Sequence, residues 1–251
     1  MCILQINEKK HLFNIYTREL MNILVNGGTR GIGKEIVTHL ANDINNRILV
    51  TGRDESALKS LLNGFLNENV SYLVIDLSDI DNQMESFKDQ VYSRFSKIDI
   101  IINNAGTLIM KEFMKMSNKE ARIIMETNFF GPATVIRLLK PIMAKGSHIV
   151  NISSMGGFQG SAKYRGLSYY SASKAALASL SECLAEEFSD AGISVNCLAL
   201  GSVQTEMFEN AFPGYKAPVS AKDMGEFIAY FAVNGNKFFN GKVIPVALEN
   251  P

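Results

Sequence analysis

The chain has 251 residues, 47% hydrophobic and 20% charged, which suits one large α/β domain with a sizeable core. Its 25 basic and 25 acidic residues balance, so no net field favours nucleic acid or an anionic membrane. No apolar run reaches the roughly 18 residues of a membrane-crossing helix, and Cys2, Cys183 and Cys197 lack metal-ligand spacing.

Scattered thiols fit a reducing cytoplasm, and Cys183 and Cys197 read as small buried hydrophobes with no metal to bind. Residues 1–21 read as an N-terminal extension: apolar and charged residues mix there without a secretory core. Met21 stands just before the first strand, and translation starting at Met21 is the preferred alternative. Residues 22–251 read as one domain, without repeat, linker or low-complexity tract.

Ile23-Leu-Val25 is a short branched run of the kind that forms a buried parallel strand. Gly27, Gly28, Gly31 and Gly33 then crowd a turn, and Ile32, Ile36 and Leu40 follow at helical spacing. A strand thus feeds a helix through glycines, and such a helix start suits a pyrophosphate. Taken alone, the glycines also fit a simple structural turn. Ile48–Thr51 reads as the second strand, Ser56–Phe65 as a helix, Val70–Ile75 as the third strand, and Phe87, Val91 and Phe95 as a helix face. Ile98–Ile102 is the fourth strand. Ser117-Asn-Lys-Glu120 is a capping box opening a long helix toward Lys140. His148–Ile152, Tyr170–Phe188, Ile193–Leu198, Lys222–Val233 and Lys242–Val246 continue the alternation of strand and helix. This order predicts a doubly wound, mostly parallel α/β sheet with helices on both faces.

Several residues stand where such folds carry chemistry. Arg53 follows the second strand at a place where an acid would hold a ribose hydroxyl and an Arg accommodates a 2′-phosphate. Arg30, in the glycine turn, supplies a second guanidinium, so NADP(H) is expected over NAD(H). Asp76, beside Leu77, is placed to accept from an adenine amino group, or it is an ordinary helix-entry acid. Asn103-Asn104-Ala105-Gly106 ends the fourth strand; its amides can tie strand ends together while Ala105 and Gly106 leave backbone bare. Asn128 sits mid-helix, where an Asn is unfavourable without a partner. Ser154 lies just past the fifth strand, and Tyr170 and Lys174 share one helix face. A phenol has a pKa near ~10, and the Lys174 ammonium is expected to lower it. Tyr169 has Ser173 at the matching position, so the pairing selects Tyr170.

The glycine turn Gly27-x-x-x-Gly31-x-Gly33, Asn-Asn-Ala-Gly, Asn128, Ser154 and Tyr170-x-x-x-Lys174, in this order, resemble the short-chain dehydrogenase/reductase family over residues 22–246. The resemblance implies a Rossmann-type fold and hydride transfer between nicotinamide and a carbonyl or secondary alcohol. It implies that Ser154 orients the carbonyl, Tyr170 exchanges its proton, Lys174 holds the ribose and tunes Tyr170, and Asn128 completes a proton relay. Gly27, Thr29, Arg30, Gly31, Ile32, Gly33, Arg53, Asp76, Leu77, Asn103, Ala105 and Gly106 would line the cofactor, with Gly201, Val203 and Thr205 over the nicotinamide. Met207, Phe208 and Phe212 then either cap a substrate pocket or belong to core or interface. Lys163 and Arg165 face an acidic substrate or only solvent. A homo-oligomer, tetramer or dimer, is implied too, with the helices around 118–140 and 170–188 at an interface and Ala172, Ala175, Ala176 and Ala178 allowing close approach. Asn26, Leu200 and Ile244-Pro-Val-Ala247 depart from the family pattern, which has a hydroxyl residue, a Pro and a glycine pair at those places. A catalytically idle NADP(H)-binding sensor or docking protein is the rival reading.

Overall fold

The computed structural model describes residues 20–65 and 68–248. Nearly all of the expected N-terminal extension therefore lies outside the described residues. The elements in chain order are β1 (Met21–Asn26), α1 (Gly31–Ala41), β2 (Asn46–Gly52), α2 (Glu55–Leu62), β3 (Val70–Val74), α3 (Met84–Tyr92) and β4 (Ile98–Asn103). After them come α4 (Asn118–Met125), α5 (Gly131–Leu139), β5 (Met143–Ser154), α6 (Ser168–Glu187) and β6 (Ser194–Leu200). The chain finishes with β7 (Val203–Gln204), α7 (Glu206–Ala211), β8 (Val219–Ser220), α8 (Ala221–Asn234) and β9 (Val243–Val246).

Seven strands form one parallel sheet in the order β3-β2-β1-β4-β5-β6-β9. The order reverses between β1 and β4, and the crevice at that switch point is where such sheets bind ligands. Side chains alternate across each strand, so one sheet feeds two cores. Ile23, Val25, Ile48 and Val50 pack with Ile36, Leu58 and Ile228 on the face covered by α1, α2 and α8. Leu24, Leu49, Ile101 and Ile149 pack with Phe87, Val91, Val135 and Ala185 under α3, α5 and α6. This is the Rossmann-type architecture that the alternation of patterns predicts.

The long helix expected from Ser117 opens with the capping box, Ser117 and Glu120 each bonding the other's backbone N–H. It does not run unbroken to Lys140. Residues Glu126–Phe130 widen into a π-helical turn before α5 resumes, a distortion that often marks a functional position. Asn128 sits within it.

Buried polar side chains lace the strands together. Thr51 Oγ1 donates to Asn26 Oδ1 (2.7 Å), Asn26 Nδ2 to Asn103 Oδ1 (2.7 Å), Asn103 Nδ2 to Asn151 Oδ1 (2.7 Å) and Asn151 Nδ2 to Ser181 Oγ (2.9 Å). The chain crosses β2, β1, β4 and β5 and ends on α6. All five residues are buried, so each bond spares a polar group that would otherwise lose water without replacement. Asn26 thus takes up, with an amide, the cross-strand contact at the head of the glycine turn.

Cys197 is buried as expected, but Cys183 is exposed on the outer side of α6. Ala172 and Ala175 are exposed and Ala176 is half-buried, whereas Ala178 turns into the core. The helical phase, not the alanine composition, decides which of them face outward.

Candidate active site

The glycine turn closes on itself and on β4. Gly27 adopts φ +78°, the left-handed region open to glycine, and its carbonyl accepts from Asn104 Nδ2 at 2.7 Å. A Cβ on Gly33 would collide with that same carbonyl oxygen, so the start of α1 lies directly under the turn. Ala105 N and Asn104 N both donate to Asn26 O. No side chain caps the N-terminus of α1, and its free N–H groups suit a phosphate.

Beside this turn lies a cleft lined by Gly27, Thr29, Arg30, Arg53, Asp76, Leu77, Ala105 and Gly106. Arg53 makes no ion pair among the described residues, while Asp54 caps α2 by accepting from Ala57 N at 3.0 Å. The acid nearest the second strand is thereby committed to a helix end. Asp76 Oδ1 accepts from Ser78 N and Oγ at 2.9 and 2.8 Å, the helix-entry role. Two expected cofactor residues lie elsewhere. Gly33 is packed beneath the turn, and the Asn103 side chain is held inside the sheet by its ladder bonds. Neither lines the cleft, because close packing and strand tying leave them no open side.

Ser154, Tyr170 and Lys174 meet in an adjoining cleft that also takes in Gly31, Ile32, Gly201, Val203 and Thr205. Tyr169 lies outside it, stacked on Phe113 at 5.7 Å. Several contacts that sequence spacing does not reveal set the position of α6. Asn128 is fully buried; its Oδ1 accepts from Thr107 N (2.8 Å), and its Nδ2 donates to Thr107 O (2.9 Å) and Ser173 Oγ (3.0 Å). Ser173 Oγ donates in turn to Tyr170 O at 2.7 Å. The Asn128 amide therefore links the loop after β4 to the first turns of α6. Ser153 Oγ donates to Lys174 O at 2.7 Å. Gly157 lies against the backbone of Lys174 and Ala175, where a Cβ would collide. Only the convergence of β5 and α6 in space exposes these supports.

The electrostatics differ from the sequence expectation. Burial raises the Tyr170 phenol above its ordinary pKa, and the Ser154 hydroxyl opposes the rise. Burial lowers Lys174 to about 8, opposed by the neighbouring Cys197. The ammonium donates to Ile152 O at 2.8 Å. Desolvation disfavours the charged form of both groups, and on the phenol it outweighs the Ser154 hydrogen bond.

The wall facing these residues comes from β7 and α7. Met207, Phe208 and Phe212 all line the cleft, together with Leu108, Met155 and Tyr164. Phe212 meets Tyr164 edge-on at 6.4 Å. Lys163 does not reach toward a substrate; its Nζ donates to Phe158 O at 2.7 Å. Arg165 pairs with Glu112 at 2.8 Å. Leu200 extends β6 beside Val246, and Gly201 N donates to Val246 O at 2.9 Å. Strand pairing fixes this turn without a proline, and Pro245 sits in the edge strand β9, where its missing N–H costs least.

Known proteins resemble this chain over most of its length. A 3-oxoacyl-[acyl-carrier-protein] reductase FabG of Chlamydia trachomatis is 31% identical over 238 residues, covering 89% of this chain and 94% of that protein. The protein of the same name from Escherichia coli is 28% identical over the same shares. Among solved structures, a short chain dehydrogenase from Burkholderia cenocepacia in complex with NADP superposes with a TM-score of 0.79 at 22% identity, covering 91% of this chain and 97% of that one. The family model for short chain dehydrogenases spans residues 21–216, from β1 through the wall over Ser154 and Tyr170. That model covers most of the chain, and the chain belongs to the short-chain dehydrogenase family.

Proposed function

We propose that the protein is an NADP(H)-dependent oxidoreductase that interconverts a carbonyl and a secondary alcohol. The observation behind this is the convergence of Ser154, Tyr170 and Lys174 on one cleft that continues into the glycine turn and Arg53. The residues fit a phosphorylated dinucleotide: an uncapped helix N-terminus, bare backbone at Ala105 and Gly106, and an arginine without an ion-pair partner among the described residues. The names of the relatives and of the NADP-bound structure point the same way.

When bound, the nicotinamide supplies or takes up the hydride at the substrate carbon. The chain's own residues manage the oxygen. Ser154 Oγ holds the carbonyl oxygen, and Tyr170 Oη, kept protonated by burial, donates to it as negative charge develops. Lys174 Nζ, within reach of Gly106, holds the nicotinamide ribose and returns the proton toward the phenol. Asn128 holds Thr107 and Ser173, and so sets the height of Tyr170 in the cleft. The apolar lining by Leu108, Met155, Tyr164, Met207 and Phe208 favours a carbonyl with an apolar flank. Assembly as a homo-oligomer, through the outward faces of α4, α5 and α6, and a cytoplasmic setting belong to the same reading. Among the described residues no helix is long and apolar enough to cross a membrane.

The test is a panel of ketones and aldehydes assayed with NADPH by nicotinamide absorbance, with light scattering for the assembly. NADPH oxidation with an apolar ketone supports the reading. NADPH binding without turnover of any member would favour the idle sensor or docking protein instead.

A further inference from the structure

The wall over the cleft is joined to the glycine turn by a pair of opposite charges. Arg30 Nη1 donates to Glu206 Oε2 at 2.7 Å, and both side chains are mostly exposed. Glu206 opens α7, whose Met207 lines both halves of the cleft. Thr205, just before it, packs against Gly31 and caps the helix by accepting from Phe208 N at 3.2 Å. Glu206 is therefore held close to Arg30 by the packing around it.

The two guanidiniums at the adenosine end are not equivalent. Arg53 has no ion-pair partner among the described residues, whereas Arg30 is engaged by a carboxylate. A phosphate monoester arriving here meets that carboxylate as a competitor for the guanidinium and as a like charge beside it. A dinucleotide without the 2′-phosphate meets neither effect.

We propose that Glu206 is a specificity-determining residue for the cofactor, competing with the 2′-phosphate for Arg30. This rests on the NADP(H) reading above. Arg53 supplies a standing phosphate contact; Arg30 supplies one while sharing its guanidinium and its charge with Glu206. The chain thereby holds its preference for NADP(H) below the value that two free arginines would give. Both partners are exposed and solvent screens them, so the effect is modest.

The experiment titrates the full chain with NADPH and with NADH, following nicotinamide fluorescence at low salt. It uses the parent, Glu206→Gln, Arg30→Ala and the double variant. Glu206→Gln is expected to tighten NADPH binding about three- to fivefold and to leave NADH within about twofold of the parent. In the Arg30→Ala background the same substitution should lose at least half of its effect on NADPH, measured as a double-mutant cycle. Equal shifts for both nucleotides, no shift, or a full effect without Arg30 would each overturn the proposal. A parent that binds NADH as tightly as NADPH removes the cofactor reading beneath it. A parent that prefers NADPH but shows no coupling removes the proposal alone.

Discussion

Behind Gly27 and Ala105 the cleft rests on the central sheet, where Asn26, Asn103 and Asn151 are fully buried and bonded strand to strand. Opposite Ser154 and Tyr170 the wall is carried by residues 203–220 and tied down by surface contacts: Arg30 to Glu206, Tyr164 to Phe212, and the two-residue pairing of β7 with β8. The first region loses much if one partner is removed, because its polar atoms have no water to turn to. The second loses little from any single contact and is free to vary its lining. The sheet therefore carries the buried, costly bonds and the wall the exposed, replaceable ones.

The largest effect should separate chemistry from both regions. Tyr170→Phe keeps the ring and removes the proton donor, so turnover should fall about 10²–10⁴-fold. Melting temperature and NADPH affinity should hold, and Tyr169→Phe, outside the cleft, should stay active. Normal turnover in Tyr170→Phe on a confirmed substrate would refute the site.

Asn103→Leu should show the reverse pattern. It strands Asn26 Nδ2 and Asn151 Oδ1, two buried groups worth about 1–3 kcal/mol each. The protein should melt roughly 5–15 °C lower while the folded fraction keeps most of its turnover in the cold. An unchanged melting temperature would mean that the ladder contributes nothing to stability.

His148 offers a pH test of the sheet. Burial lowers its pKa to about 4, with Nδ1 against Ala232 O at 2.9 Å and Nε2 against Asn196 Nδ2 at 3.0 Å. Its folded value lies below the unfolded value, so its contribution is whole above pH ~6.5 and is lost as pH falls toward ~4. The loss approaches about 3 kcal/mol. Urea midpoints at pH 7.5 and 4.5 should differ less in His148→Gln than in the parent, and an equal difference would reject the assignment.

The smallest effect sharpens the comparison at the adenosine end. Arg53→Ala should weaken NADPH binding by about tenfold and leave NADH unchanged. Equal losses for both nucleotides would place Arg53 away from the 2′-phosphate.

Legibility followed the distance between partners. Tyr170 and Lys174 are one helical turn apart, and the Ser117 capping box closes within three residues, so spacing alone announces them. The strand runs also declare themselves, since a parallel sheet buried on both faces demands branched apolar residues. Asn103 illustrates the limit: its motif was readable, yet its side chain serves the sheet and not the cleft. Cys183 makes the same point, because thiol chemistry suggests burial and the phase of α6 overrules it.

By itself, the sequence determined, β7, α7 and β8 aside, the seven strands of the main sheet and the helices alternating with them, the glycine turn, and the Tyr170/Lys174 pair. These depend on backbone sterics and on periodicities of two and about 3.6 residues, which act over a few neighbours. Only the tertiary structure decided that Asn26 bonds Asn103 across 77 residues and that Arg30 meets Glu206 across 176. It also placed the Tyr170 phenol where burial raises its pKa and the Ser154 hydroxyl opposes the rise. Partner choice and desolvation arise only when distant segments exclude water from a common space, and no local pattern records that.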